Sequence, residues 1–188
     1  LAAGERAYLY FETLDLAAAV YLNGQEVGRH ANAFYPCRLD VTAALRPGEN
    51  TLVVTLESGL YLTADRPSAG YGMNPCDPLH KRNWLRTTQS NFAWDWSPLL
   101  LNIGIRGGAR LEICRAARLE TMVALAELAP DLRSGQVTAR LFVEGLAAEA
   151  QTGLLSLEVA GQTITKEVEV QPGLHPIELR ADVTGPRL

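Results

Sequence analysis

The residues best suited to chemistry lie together in the octapeptide NFAWDWSP, residues 91–98. Two of the three tryptophans in the chain, Trp94 and Trp96, flank Asp95 there. In a strand the two indoles would share one face and Asp95 would point to the other, whereas in a loop all three side chains could converge. One interpretation is that both rings are core and Asp95 is a solvated turn residue. The other is a sugar subsite, in which an indole covers the C–H face of a pyranose and the carboxylate accepts hydroxyl protons.

Other catalytic patterns are absent from the sequence. The three histidines, His30, His80 and His175, are far apart, and Cys76 with His80 would supply at most two of the four ligands of a structural zinc, so no metal and no cofactor is expected. The glycines of residues 104–108 lack a strand-to-helix context and are interpreted as a turn. The glutamates mostly alternate with apolar residues, as on a solvated sheet face, and no acid and nucleophile pair stands out. We therefore predict no catalytic residue in this chain.

Composition limits the partners. The chain has 188 residues, 47% of them hydrophobic, and a formal charge of −4. It contains no basic run, which argues against a nucleic-acid partner, and no apolar stretch of about 20 residues, which argues against a membrane span.

Three widely spaced cysteines, Cys37, Cys76 and Cys114, favour reduced, buried thiols over a disulfide framework. The first residue is Leu, so we expect a fragment whose start lies upstream. The compartment stays open, and the Ala-, Leu- and Arg-rich composition favours a bacterial cytoplasmic protein.

Strand signals dominate the first part of the chain. Residues 7–13, 18–22 and 25–29 read as strands, and Asn23-Gly24 between the last two is a strong hairpin signal. A capped helical turn is expected at residues 40–45, followed by a strand at 51–57. From residue 58 to about 99 the periodicity is lost, and an irregular stretch of this length, rich in aromatic residues, is typical of a functional segment. Alternation resumes at residues 109–114.

A domain boundary is expected at residues 115–117. Beyond it, residues 136–144 alternate as a half-buried strand, residues 154–159 and 163–170 flank Gly161-Gln162 as a hairpin, and a further strand is expected around residues 177–183. The sequence therefore predicts an all-β chain of two sandwiches, residues 1–115 and residues 116–188. A jelly roll needs about eight strands and an immunoglobulin-like sandwich about seven, so both units are expected to be truncated at their outer ends.

Two stretches resemble a known family. VYLNGQEVGRHANAFYPCRLDVTAALRPGENTLVVTLES, residues 20–58, resembles the N-terminal sugar-binding-like domain of glycoside hydrolase family 2. LRTTQSNFAWDWSPLLLNIGI, residues 85–105, is similar to the corresponding stretch of its β-mannosidases, in which Trp-Asp-Trp is followed by Pro and Gly-Ile. Ser97 stands where the family usually has Gly, and Arg106-Gly107-Gly108 replaces a Trp-Arg pair.

The resemblance implies a fold and a role. It implies a jelly roll, residues 1–115, followed by an incomplete immunoglobulin-like sandwich, residues 116–188. It also implies that Trp94, Asp95 and Trp96 contact a terminal β-mannose of an oligosaccharide or glycoconjugate. In the family a TIM barrel performs retaining hydrolysis, and such a barrel needs about 250 residues, so this chain alone is expected to be inactive. The alternatives are a free-standing carbohydrate-binding module, a family 2 glycosidase with another sugar specificity, and a structural sandwich with buried tryptophans.

Overall fold

The structure is a computed structural model that describes residues 1–67, 78–94 and 97–186. The chain divides into two compact units. The first contains Arg6–Ile113, and the second contains Ala2–Glu5 and the chain from Cys114 onward. The described elements are strands and a few short 3₁₀ turns, which confirms the predicted all-β class.

The first unit contains two three-stranded sheets. Numbered in chain order, their strands are β1 (Arg6–Asp15), β2 (Ala17–Leu22), β3 (Gln25–His30), β4 (Cys37–Asp40), β5 (Leu52–Glu57) and β8 (Gly104–Cys114). One sheet has the order β4-β1-β8 and the other the order β3-β2-β5. Alternate residues of β1 and β2 bury their side chains in a shared core that includes Leu9, Phe11, Val20 and Cys37. The inward-facing, alternate residues of β1 and β2 therefore meet in one core, as in a sandwich of two sheets, and Ala17 and Ala19 on the other face of β2 are buried as well.

The Asn23-Gly24 hairpin forms as predicted between β2 and β3. Both residues have positive φ, 53° and 83°, which suits a type I′ turn and explains why Asn and Gly occupy them. The Asn23 side chain also ties the turn to a neighbouring loop, because its Oδ1 accepts from Thr51 N at 3.0 Å and its Nδ2 donates to Ala44 O at 2.9 Å. The turn is therefore fixed by tertiary contacts as well as by its own conformation.

The predicted irregular stretch contains short 3₁₀ segments and one small hairpin. The 3₁₀ segments are Leu60–Thr63, Pro78–Trp84 and Gln89–Asn91. The hairpin pairs β6 (Phe92–Trp94) with β7 (Ser97–Leu99). The described residues of this stretch contribute no strand to the two three-stranded sheets of the first unit, as the lost periodicity indicates.

The interpretation of residues 104–108 as a turn is wrong. These residues begin β8, which pairs with β1. Gly107 has φ +73°, and a Cβ there would collide with the carboxylate of Glu12 on β1. The glycine therefore permits a positive φ and a close approach of β8 to β1. From the sequence alone, such a glycine within a strand cannot be distinguished from a glycine in a turn.

In the described residues, the second unit has five strands in two sheets. One sheet has the order β13-β10-β9 and the other consists of β11 and β12. Their bounds are β9 (Ala117–Leu128), β10 (Ser134–Gly145), β11 (Gln151–Val159), β12 (Gln162–Val170) and β13 (Gly173–Thr184). The expected hairpin forms between β11 and β12, but its two turn residues are Ala160 and Gly161, one position earlier than predicted. Leu141, Leu157, Val168 and Leu179 form the core between the sheets.

One strand of this unit leaves its inner face open. Met122 on β9 pairs with Leu141 on β10, so both side chains lie on the same face of the sheet. Leu141 is 4% exposed, whereas Met122 is 47% exposed. Leu119 and Leu128, also on the inner face of β9, are similarly exposed. The β11–β12 sheet therefore covers β10 and β13 but not β9.

Candidate substrate-contact loop

The predicted site residues lie at the β6–β7 hairpin. Trp94 is the last residue of β6 and pairs with Ser97, the first residue of β7. Asp95 and Trp96 are the two residues between these strands in the sequence, and they lie outside the described residues, as does the Trp94 side chain. Because β6 and β7 are antiparallel, the chain reverses direction between Trp94 and Ser97. Trp94 therefore ends a strand whose antiparallel partner begins at Ser97, and the arrangement of the three predicted side chains stays a prediction.

A small hydrophobic core anchors the start of this hairpin. Phe92, the first residue of β6, is 3% exposed and packs in a cluster with Leu16, Ala33 and Leu85. This cluster is separate from the main core of the first unit. Two paired strands of three residues cannot hold themselves in water, so their position depends on such contacts. The aromatic side chain two residues before Trp94 is thus fixed in the body of the first unit.

Hydrogen bonds fix the backbone of the same segment. Arg82 Nη1 donates to Phe92 O at 3.2 Å, and Ala33 N donates to Arg86 O at 2.8 Å. Gln89 Nε2 donates to the carbonyl oxygens of both Arg82 and Thr87, each at 3.2 Å. These bonds give backbone acceptors in an irregular stretch the partners that they would otherwise find in a sheet.

A buried carboxyl group joins this segment to the end of β1. Asp15 is 2% exposed and Thr87 is 4% exposed. The Thr87 hydroxyl donates to Asp15 Oδ1 at 2.7 Å. Arg106 on β8 forms an ion pair with the other carboxyl oxygen, with Nη2 3.5 Å from Oδ2. Sequence reasoning missed Asp15 and Thr87, and the available signal was a carboxylate within the otherwise apolar run LDLAAAV.

A shallow cleft lies on the outer face of the β3-β2-β5 sheet. Its volume is about 390 Å³, and alanines of β2 form part of its lining. Tyr21, Tyr61, Arg29 and Glu57 also line it. The hydrogen bond that Arg29 donates to Glu26 raises the pKa of the Arg29 guanidinium.

Two cysteines are among the remaining titratable groups of the described residues. Among the described residues no group of three or more His, Cys, Asp or Glu side chains could hold a metal ion. In the same part of the chain no helix is long and apolar enough to cross a membrane. Cys37 is buried, and burial raises the pKa of its thiol to about 11, while Cys114 is half-buried and not in a disulfide. The side chains of Cys76 and His80 lie outside the described residues, so the expectation that they form no zinc site stays a prediction.

Fold and family now agree. The first unit has two three-stranded sheets around one core, an arrangement consistent with a galactose-binding-like jelly-roll sandwich. Residues 1–107 match the family described as the glycosyl hydrolase 2 galactose-binding domain-like family. The match spans more than half of the chain, so the chain belongs to this family, as the sequence resemblance predicted.

Known relatives include β-mannosidases. A protein named β-mannosidase B from Aspergillus fumigatus is 32% identical over 177 residues, which cover 88% of this chain and 20% of that protein. The crystal structure of a β-D-mannosidase from Dictyoglomus thermophilum superposes with a TM-score of 0.74 at 24% identity, over 97% of this chain and 23% of that one. An exo-chitosanase from Amycolatopsis orientalis superposes with a TM-score of 0.69 at 20% identity, covering 97% and 20%. The fold alone is therefore shared by enzymes named for different sugars, and this chain spans about a fifth of the length of its curated relatives.

Proposed function

We propose that this chain is the non-catalytic N-terminal part of a β-mannosidase that removes terminal, non-reducing β-D-mannose with retention. Trp94, Asp95 and Trp96 would contribute to the mannose subsite of a TIM barrel elsewhere in the parent protein. The observation that carries the proposal is the family match over residues 1–107, which contains the tripeptide, together with relatives named β-mannosidase. The anchored stem of the hairpin supports it, because a substrate contact must be held in place.

The chemistry of the tripeptide suits a sugar. An indole offers an apolar face for ring C–H groups, and a carboxylate accepts hydroxyl protons in charge-assisted hydrogen bonds. Loss of one such bond that tightens in the transition state should cost about 2 to 4 kcal/mol, or roughly 30- to 1000-fold in kcat/KM. The chain alone should not turn over β-mannosides, since the proposed hydrolytic groups belong to the barrel.

The test is a set of initial rates on the parent protein. Aryl β-mannoside, β-galactoside, β-glucoside and β-glucuronide are compared for the wild type, Asp95→Ala and Asp95→Asn. Glu49→Ala, an exposed acidic residue of the first unit, is the matched control. We expect a mannoside preference, a large loss for Asp95→Ala and no loss for Glu49→Ala. Preference for another glycoside, or a silent Asp95→Ala, contradicts the proposal.

The structural alternative is that Trp94 and Trp96 are buried in the core. Quenching of indole fluorescence in the chain distinguishes this alternative from the sugar subsite. Trp84 would confuse this measurement because it is 45% exposed, with Nε1 donating to Pro67 O at 3.0 Å. Quenching is therefore measured in a Trp84→Phe background, where only Trp94 and Trp96 emit. Acrylamide-accessible indoles favour the subsite, and protected indoles favour the core.

A second candidate, a free-standing carbohydrate-binding module, is favoured by the cleft on the β3-β2-β5 sheet. Tyr61 and Tyr21 could stack on a sugar ring while Arg29 and Glu57 bond its hydroxyls. The module predicts sugar affinity in this chain alone, measured by NMR titration with methyl β-mannoside and β-mannobiose. Tyr61→Ala should abolish such binding, while Tyr35→Ala, which removes a comparably exposed tyrosine outside the cleft, should not. No titration up to millimolar sugar rejects this candidate.

A further inference from the structure

We propose that Asp15 and Thr87 are positioning residues that fix the stem of the β6–β7 hairpin, the strand from Phe92 to Trp94. This inference rests on the proposed function for its catalytic consequence, although the positioning itself can be measured without it. Neither residue belongs to the octapeptide of residues 91–98, although Thr87 lies within the longer stretch of residues 85–105 that resembles the family. They lie 72 residues apart in the chain and meet through a single side-chain hydrogen bond.

The contact is unusual because both partners are buried. A carboxyl group removed from water is destabilising unless its oxygens accept hydrogen bonds. Here the 2.7 Å bond from the Thr87 hydroxyl satisfies Oδ1. If the segment that carries Thr87 shifted by 1 Å, this bond would be lost and a buried oxygen would be left unpaired. The pair therefore resists displacement more strongly than an exposed bond would.

Asp15 itself is held by the sheet. It is the last residue of β1, the central strand of the β4-β1-β8 sheet. Arg106, on the neighbouring strand β8, approaches its second oxygen at 3.5 Å. The Arg106 side chain is 55% exposed, so solvent screens this ion pair and the Thr87 bond is the stronger constraint. The carboxyl group is thus a fixed point in the frame of the first unit.

Thr87 transmits this position toward the loop. It lies between Leu85 and Phe92, which are 4% and 3% exposed in the same small core. Phe92 begins β6, and Trp94 ends it. Because substrate contacts tolerate little misplacement, a stem that shifts by about 1 Å can reduce catalysis on the order of 100-fold. Asp15 and Thr87 would act through the stem of the hairpin, not by touching the sugar.

The first measurement uses the 188-residue chain and needs no activity. Hydrogen–deuterium exchange is followed by mass spectrometry in peptides that cover residues 85–99, for wild type, Thr87→Val and Thr87→Ser. Valine keeps the shape of threonine without the hydroxyl, and serine keeps the hydroxyl. We expect faster exchange in Thr87→Val, near-wild-type exchange in Thr87→Ser, and unchanged exchange in β10 peptides of the second unit. Equal exchange in all three proteins overturns the positioning role.

The second measurement uses the parent protein and a control matched for stability. Val41→Ala removes a side chain 1% exposed in the main core, away from the hairpin cluster. All rates are taken well below the lowest melting temperature. We expect Thr87→Val to lower kcat/KM for aryl β-mannoside about 10- to 100-fold, with rescue by Thr87→Ser, whereas Val41→Ala lowers only the melting temperature. If Thr87→Val behaves like Val41→Ala while Asp95→Ala is inactive, the positioning proposal fails and the proposed function stands. If Asp95→Ala is silent, the proposed function fails, and the exchange result alone decides the positioning.

Discussion

Replacing Met122 by glutamine tests whether the open face of β9 is covered in the parent protein. We propose that the second unit is an immunoglobulin-like sandwich to which this chain contributes five strands, and that further strands of the parent complete the smaller sheet. Three apolar side chains on the inner face of β9 are about half exposed here, while Leu141 and Val143, the β10 neighbours of Met122 and Leu119, are buried. A face of this kind is unfavourable in water and typical of an interface.

The expected loss in the free energy of unfolding depends on whether further strands cover the inner face of β9. Full burial of a methionine side chain stabilises by about 1.5 to 3 kcal/mol, and Met122 is 47% exposed, so Met122→Gln in the chain should cost about 1 kcal/mol. In the parent, cover over β9 would bury the glutamine amide without a partner and raise the cost to about 3 to 5 kcal/mol. Leu141→Gln, on the buried neighbour, should cost about 3 to 5 kcal/mol in both proteins.

The assay must follow the second unit specifically. Every Trp and Tyr of the chain lies before residue 115, so intrinsic fluorescence reports the first unit. Hydrogen exchange of peptides from β10 and β13 instead gives the free energy of opening of the second unit in both proteins. If Met122→Gln costs the same in the chain and in the parent, within about 0.5 kcal/mol, the proposed cover of β9 is absent.

Two further predictions concern the first unit. Asn23→Ala should destabilise it by about 2 to 4 kcal/mol in urea melts followed by fluorescence, because it removes a residue that tolerates positive φ and its bonds to Thr51 and Ala44. Asn23→Gly, which keeps the conformation, should cost less, and equal costs would contradict a conformational contribution. Alkylation of Cys37 by iodoacetamide at pH 8 should be about 100-fold slower than for a thiol of pKa 9.0, because the raised pKa of about 11 leaves less thiolate. Its rate should rise about tenfold per pH unit up to that pKa, and a plateau near pH 9 would contradict the shift.

Short-range sequence patterns correctly predicted the turns and strands that are determined by neighbouring residues in the chain. The Asn-Gly turn, the alternation of β1 and β2, and the loss of periodicity after residue 57 each appear where the sequence indicated. β9 was not predicted, because ARLETMVALAEL is rich in helix-forming residues and apolar on both faces. Its pairing with β10 imposes the strand. Tertiary pairing therefore overrides intrinsic propensity where a neighbouring strand supplies the hydrogen bonds.

The candidate site divides in the same way. Trp94, Asp95 and Trp96 are predicted from the sequence because rare residue types stand side by side, and their role stays a prediction. Asp15 and Thr87 could not be predicted, because a single hydrogen bond between residues 72 positions apart leaves no local pattern. An acidic residue at the end of a strand ordinarily indicates a solvated turn. Only its burial identifies this one as part of the support of the loop.

The support under the hairpin is the strongest argument that the tripeptide is more than architecture. Two three-residue strands add little stability to a sandwich that already has its own core. Yet the chain holds them with a second hydrophobic cluster, several bonds to backbone oxygens, and a buried carboxyl group. A buried carboxyl group is a costly way to fix an ordinary surface turn, since apolar residues of similar size would often stabilise it as well. What such a group adds is a defined position, and a defined position is what a side chain needs when it must contact a substrate held by another domain.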